Sequence, residues 1–155
     1  MPTTTISNRD VLELYSALTA LDGYSKAVGD RVVTVPYEIE PRARLDIALN
    51  KATLRPVKEA IEETRNAIVT EIAGDRGEIP DTVTDGLGKV STNPEAITFQ
   101  RRWREVLDAT VTVDLRRLPV KSLHIGDDAD TKANPIPGTV LEILMPILDH
   151  PEHSR

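Results

Sequence analysis

A stripe of apolar residues that repeats every seven positions runs through residues 41–74, and it constrains this chain more than any other feature. Residues three and four positions apart lie on one face of an α-helix. The segment therefore predicts a long amphipathic helix whose apolar face packs against another helix. The seven-residue repeat consists of Ile47, Leu54, Ile61 and Ile68. The positions halfway between these are Ala43, Asn50, Val57 and Thr64, and Ile72 extends the stripe by one turn.

Two prolines bear on this predicted helix. Pro41 suits its first turn, where a missing N–H costs nothing. Pro56 stands inside the pattern and removes one backbone hydrogen bond, at a cost of roughly 3 kcal/mol in a regular helix. We therefore expect either a kink at Pro56 or two helices that meet near residues 53–55.

Three further helices are predicted from their caps and apolar faces. Ser7 and Asp10 have the spacing of a capping box and predict a helix over residues 7–20. Asn93 followed by Pro94 is a cap with a first-turn proline, and it predicts a helix over 94–109. The apolar segment 139–148 predicts a last helix.

Two segments have the composition of β-strands. Residues 110–115 alternate with β-branched side chains, which is typical of a strand. Residues 31–39 are also β-branched, but Pro36 lacks an N–H and would either restrict that strand to a sheet edge or break it. Residues 120–125 fit either a short strand or a 3₁₀ turn.

These elements predict an α+β fold that is mostly helical. The long kinked helix 41–74 is expected to pack antiparallel on 94–109, with 7–20 and 139–148 covering one end. A small antiparallel sheet is expected to combine 31–39 with 110–115. We expect one domain over residues 1–155, with a flexible glycine-rich loop at 75–92 and loose termini at 1–6 and 149–155.

Composition limits the classes of function. There are no cysteines among the 155 residues, which excludes disulfides and thiolate sites. The formal net charge of −6 and the 3% aromatic content argue against broad binding to nucleic acid. The N-terminus does not resemble a signal peptide. No apolar stretch approaches the ~20 residues that span a bilayer. We therefore expect a soluble protein with no membrane partner.

The acidic loop 126–134 is the only segment that suggests a metal site. Asp128, Asp130 and Asn134 alternate as ligands do in an EF-hand. However, Lys132 stands where a ligand belongs and Ala133 where the turn requires glycine, so a solvated loop is the better interpretation. The histidines are scattered, and there is no phosphate loop, dinucleotide fingerprint or nucleophile elbow. The sequence thus predicts a non-enzymatic protein without a cofactor or metal.

A basic cluster around one tryptophan is the best candidate for a ligand site. Arginine forks bind phosphates and carboxylates in a bidentate manner, and a tryptophan ring can stack on a base. The alternative is that the tryptophan belongs to the core and the arginines pair with Glu59, Glu62 and Glu63 across a helix interface. The candidate residues are Arg101, Arg102, Trp103, Arg104, Arg116 and Arg117.

Three segments carry a resemblance to a known family: LELYSALTALDG, the segment from Val35 to Ile72, and WREVLDATVTVDLRRLPVKSLHI with a short apolar helix after it. The chain resembles a family of small proteins encoded by tailed bacteriophages and prophages. It departs from that family in Pro41, Pro56 and the glycine-rich 75–92 segment. The resemblance implies a phage origin and non-enzymatic work, and it supplies no site residues.

Two hypotheses of function follow, with a third that the charge disfavours. The first is an oligomeric structural or assembly-accessory phage protein in the host cytoplasm or virion, bound to itself and to other phage proteins. The second is an inhibitor of host immunity that blocks a host defence protein or sequesters an anionic nucleotide signal. The third is a DNA-binding regulator, which the acidic balance disfavours.

Overall fold

The computed structural model describes residues 3–125 and 134–149. Its α-helices are α1 (Asn8–Ala20), α2 (Pro41–Ala73), α3 (Pro94–Asp108) and α4 (Gly138–Leu144), with 3₁₀ helices at Gly74–Arg76, Val120–Leu123 and Met145–Ile147. The strands are β1 (Thr3–Ser7), β2 (Tyr24–Val28), β3 (Arg31–Val35), β4 (Thr82–Thr84), β5 (Val90–Thr92), β6 (Thr110–Asp114), β7 (Leu118–Pro119) and β8 (Leu148–Asp149). The predicted α+β, mostly helical fold is confirmed.

Helix α2 is continuous from Pro41 to Ala73 and contains Pro56 within it. The alternative with two helices meeting near residues 53–55 is therefore wrong. Leu54 and Ile61, on either side of the proline, are both buried, and this burial offsets the single backbone bond that Pro56 removes. The predicted stripe is confirmed at all four repeat positions, since Ile47 and Ile68 are buried as well.

Helix α1 begins as its cap predicts. The Ser7 hydroxyl accepts from the Asp10 backbone N–H, and the Asp10 carboxylate accepts from the Ser7 N–H, which completes the capping box. Its buried side chains are Val11, Leu14, Ala17 and Leu18. They pack against α2 on one side and α4 on the other.

Helix α3 packs antiparallel on the second half of α2, as predicted. Arg76 at the end of the α2 segment bonds Glu95 at the start of α3, and Glu71 pairs with Arg102 one to two turns further along. Asn93 caps α3 by accepting from the Glu95 N–H at 3.1 Å. Its own amide donates to the Pro80 carbonyl, which fixes the preceding segment against the helix start.

The N-terminal segment is a strand rather than the predicted loose arm. Residues 3–7 form β1, which pairs antiparallel with β6 so that Ile6 faces Val111. Ile6 is buried, and the Thr5 and Thr112 hydroxyls lie 2.9 Å apart. The backbone N–H and C=O groups along the edge of β6 need hydrogen-bond partners, and the N-terminal residues supply them.

The predicted sheet of 31–39 with 110–115 is wrong, because each segment has another partner. β6 pairs with β1, and β3 pairs with β2 in a hairpin closed by Gly29 and Asp30. Gly29 has φ +63, as the first residue of such a two-residue turn requires. A hairpin closes over two residues, whereas the predicted sheet would have joined segments about 80 residues apart along the sequence.

The glycine-rich segment 75–92 is also more regular than predicted. It contains the hairpin β4–β5, in which Thr82 faces Thr92 and Thr84 faces Val90. The predicted loop is therefore limited to the connections around this hairpin.

Residues 120–125 take the 3₁₀ alternative, with a 3₁₀ helix over Val120–Leu123. The last helix is shorter than the predicted 139–148, since α4 ends at Leu144. Most of the acidic loop 126–134, which the sequence predicts to be solvated rather than a calcium site, lies outside the described residues, as does the tail from 150. Asn134 is described, and its amide donates to the backbone carbonyls of Glu38 and Leu123. Its side chain therefore fastens two loops together.

The apolar core joins α1, the first half of α2, β6 and the C-terminal elements. Its fully buried side chains include Leu14, Leu54, Leu118 and Leu144. None of the helices in the described ranges is long and apolar enough to span a lipid bilayer. The second half of α2, the start of α3 and the hairpin β4–β5 extend beyond this core.

Candidate functional site

The outer face of α3 and the base of hairpin β4–β5 line an open groove of about 750 Å³. We call it the α3 groove. Helical spacing of three and four puts one stripe of α3 along it. Its lining is Asp81, Thr82, Thr92, Ala96, Ile97, Gln100, Arg101, Arg104, Glu105 and Asp108.

Two of the predicted ligand residues, Arg101 and Arg104, line this groove. Within residues 3–125 and 134–149, neither guanidinium has a carboxylate within 4.0 Å. Among the acidic residues of the groove, Asp108 is already paired, since Arg9 donates to it at 2.8 Å. The groove therefore presents two guanidinium groups that are available to an anionic group of a ligand.

Arg102 and Trp103 lie on the other side of α3. Arg102 forms an ion pair with Glu71 of α2 at 2.6 Å, across the interface of the two helices. Such a pair was expected, but with Glu59, Glu62 or Glu63 rather than with Glu71. Trp103 is half-buried against the core, and its ring stacks on Phe99 with centroids 6.5 Å apart. Trp103 therefore contributes to packing, as the alternative interpretation of the cluster expected, and does not line the groove.

Arg116 and Arg117 lie against the first half of α2 and the C-terminal segment. The Arg116 guanidinium is 3.4 Å from the Asp46 carboxylate, and Arg117 donates to the Pro146 carbonyl at 2.9 Å. They line two smaller cavities, different from the α3 groove. The structure thus brings together only Arg101 and Arg104 of the predicted cluster.

The tip of hairpin β4–β5 presents a leucine that the sequence analysis did not single out. Leu87 is 96% exposed. Asp85 holds the turn beneath it, because one carboxylate oxygen accepts from both the Leu87 and Lys89 N–H groups, at 2.8 and 2.9 Å. The Asp-Gly pair at residues 85–86 is a turn signal, but it does not indicate which side chain the turn exposes.

More apolar surface continues from this tip to the groove. Side chains alternate between the faces of a strand, so Val90 shares a face with Thr92, which lines the groove. Val90 is 61% exposed, and Ile97 on the rim of α3 is 58% exposed. Exposed apolar side chains therefore lie both on the hairpin and on the rim of the α3 groove, where Arg101 and Arg104 also lie.

The side chains that line the α3 groove can bind a ligand through hydrogen bonds and charge pairing. Within the described ranges, no three His, Asp or Glu side chains are placed to hold a metal ion. The groove contains threonines, carboxylates and guanidiniums but no histidine or cysteine. These groups donate and accept hydrogen bonds and pair with charges.

The comparisons with protein-family models, curated proteins and solved structures found no match for this chain.

Proposed function

We propose that this chain is a non-enzymatic, oligomeric phage protein that works as a structural or assembly-accessory component through protein–protein contacts. Its place of action would be the host cytoplasm or the virion, and its partners other copies of itself and other phage proteins. The phage assignment rests on the resemblance of its helix and strand segments.

The observation that carries this proposal is Leu87 on a hairpin tip fixed by Asp85. Interfaces concentrate their binding energy in a few anchor side chains that enter a pocket on the partner. An anchor held in one conformation loses less entropy on binding than a flexible one. The two Asp85 hydrogen bonds provide that order at the tip.

The surface beside the tip has the composition of an interface. Val90 and Ile97 supply apolar area, and Arg101 and Arg104 supply charge near its rim. Arginine is enriched at protein interfaces, where it pairs with carboxylates of the partner. We therefore expect a protein partner that presents a pocket for Leu87 and acidic groups for the two arginines.

The test is the recovery of the protein with phage particles and assembly intermediates, quantified by mass spectrometry. Leu87→Ser should lower this recovery about ten-fold or more, since it removes a central apolar anchor. The matched control is Leu45→Ser, because Leu45 is also an exposed leucine but lies on α2. Absence of the wild type from particles and intermediates would contradict the proposal.

A second function is favoured by one observation, the availability of Arg101 and Arg104 in an open groove of about 750 Å³. Such a pair would bind the phosphate of a nucleotide signal, as an inhibitor of host immunity requires. Trp103 would not stack on the base, since it packs on the other side of α3. This candidate therefore rests on the two arginines alone.

Calorimetric titration with cyclic and linear nucleotides tests this second function. Each charge-assisted contact contributes about 1.5–3 kcal/mol, so Arg104→Ala should weaken binding roughly ten-fold or more. Arg102→Ala is the control, because Arg102 pairs with Glu71 away from the groove. If no nucleotide binds the wild type at high micromolar concentration, this function is excluded and the assembly proposal remains.

A further inference from the structure

The hairpin β2–β3 has two edges that no other strand of residues 3–125 and 134–149 covers. Of its strand residues only Tyr24 and Val35, at its base, are partly buried. The Tyr24 ring packs on Tyr37, with centroids 5.2 Å apart, and this fixes the base to the body. A two-stranded hairpin alone is marginally stable in water, so an arm of this kind gains from a further strand.

The register of the hairpin identifies which backbone groups are unpaired. Val28 and Arg31 flank the two-residue turn and bond each other across it. Hydrogen-bonding direction alternates along an antiparallel strand, so the N–H and C=O of Val32 and Thr34 point away from β2. Among the described residues these groups have no backbone partner. The outer edge of β3 therefore offers two donors and two acceptors.

The two edges of the hairpin differ in how well they are protected. β2 carries Lys26 at its centre, and a lysine on an edge strand discourages pairing with another chain. β3 has no charge between Arg31 and Val35, and its central residues are β-branched. Val32 on this strand is 75% exposed. β3 is therefore the edge suited to pairing.

We propose that two copies of this chain pair along their β3 strands, antiparallel, about a two-fold axis at Val33. In this register Val32 of each copy faces Thr34 of the other and exchanges both backbone hydrogen bonds with it. Two such pairs related by the axis give four hydrogen bonds, and the two hairpins become one four-stranded sheet. The inference rests on the oligomeric state in the proposed function and identifies its interface.

The partner strand is a second copy because this register is complementary to itself. Arg31 faces Val35 of the other copy, so the two arginines are not opposed. Sliding the strands one way would put Val32 against Pro36, which has no N–H. Sliding them the other way would put Thr34 against Asp30 of the turn. An interface of this size is small, so we expect a reversible dimer.

Cross-linking through a single cysteine tests the register, since the chain has no cysteine of its own. The two Val33 residues would form a non-hydrogen-bonded pair with Cα atoms about 4.5 Å apart, which a disulfide can bridge. Oxidised Val33→Cys should form a covalent dimer on a non-reducing gel. Ser25→Cys, on the outer edge of β2, is the control and should form much less.

A proline pair tests the backbone bonds. Val32→Pro removes an outward N–H that the hairpin itself does not use, and the dimer dissociation constant should rise about ten-fold or more. Ala27→Pro makes the same change on β2, directly across from Val32, and should leave the dissociation constant unchanged. Sedimentation velocity over the micromolar range measures both, and circular dichroism checks that each variant folds.

The outcomes separate this interface from the wider proposal. If wild type associates but Val33→Cys cross-links no faster than Ser25→Cys, or Val32→Pro associates as tightly as Ala27→Pro, the β3 pairing is overturned while an oligomer remains. If wild type stays monomeric over the whole range, both the β3 pairing and the oligomeric proposal are overturned.

Discussion

Asn50 lies in the apolar face of α2 with 1% of its surface exposed. Its side-chain carbonyl accepts from the Arg116 N–H at 2.7 Å, and its amide donates to the Arg116 C=O at 3.0 Å. A buried backbone needs such partners, because unpaired polar groups are costly. The Asn50 side chain therefore supplies the two hydrogen bonds that a neighbouring strand would otherwise make to the Arg116 backbone, just after β6 ends.

Replacement of Asn50 by leucine should destabilise the protein. Leucine suits the apolar face but leaves the Arg116 N–H and C=O without their partners, at a cost of about 1–3 kcal/mol. Asn66→Leu on the exposed side of α2 is the control, and it should stay within about 0.5 kcal/mol of wild type. Urea unfolding measures both, and equal effects would contradict the role given to Asn50.

The ion pair between Arg76 and Glu95 contributes to stability in a way that depends on pH. The hydrogen bond from Arg76 is the largest cause that holds the pKa of Glu95 below its ordinary value of 4.5. A carboxyl with a lowered pKa stabilises the fold above its ordinary pKa and loses that contribution as pH falls through the folded value. The link therefore weakens in acid, below pH 4.5.

Titration of Glu95 by NMR checks this prediction. In wild type its midpoint should lie below 4.5, and in Arg76→Ala it should return toward that value. The variant should also lose less stability on acidification below pH 4.5 than wild type does, since the link is already absent. An unchanged Glu95 midpoint in Arg76→Ala would show that another group lowers this pKa.

At the scale of elements, α2 organises two different packing partners along one stripe. Its first half packs on α1 and the main core, and its second half packs on α3. Ile61 is buried within the core cluster where the first of these regions ends. A helix of 33 residues can span both regions because the stripe stays on one face across Pro56.

Ile61→Asp should unfold or strongly destabilise the protein, because an unpaired buried charge costs several kcal/mol. Ala60→Asp is the matched control, since Ala60 is the preceding residue of the same helix and is exposed. Thermal unfolding followed by circular dichroism measures the difference. Unchanged thermal stability in Ile61→Asp would refute the assignment of the buried face.

At the scale of the whole molecule, the described residues leave two hairpins and the outer face of α3 uncovered. Val28 and Val32 are exposed on one hairpin, and Leu87 and Val90 on the other. Exposed apolar patches are typical of surfaces that bind other proteins. These exposed residues support the proposal that the molecule is one component of a larger assembly.

Light scattering should report a mass above the 17.1 kDa of one chain at high micromolar concentration, falling toward that mass on dilution. The reason is that paired β3 strands satisfy backbone groups and cover valines that one chain leaves in water. A mass of one chain throughout would count decisively against self-association.

The sequence by itself determined the helices. The stripe of α2 and the capping box of α1 are patterns that repeat or close within a few residues, so local spacing reveals them. The turn at Gly29 and Asp30 was equally local, but the strand before it, residues 24–28, has a weak β pattern and was missed.

Tertiary structure decided the strand partners and the site. β1 and β6 are about 105 residues apart in sequence, and their pairing depends on which edges the packed helices leave open. The same packing divided the predicted arginines. α2 covers the Arg102 side of α3, and Arg101 and Arg104 face the groove. Successive residues of a helix point in different directions around its axis. The packing of the neighbouring helix therefore determines which arginines of the run stay exposed in the groove.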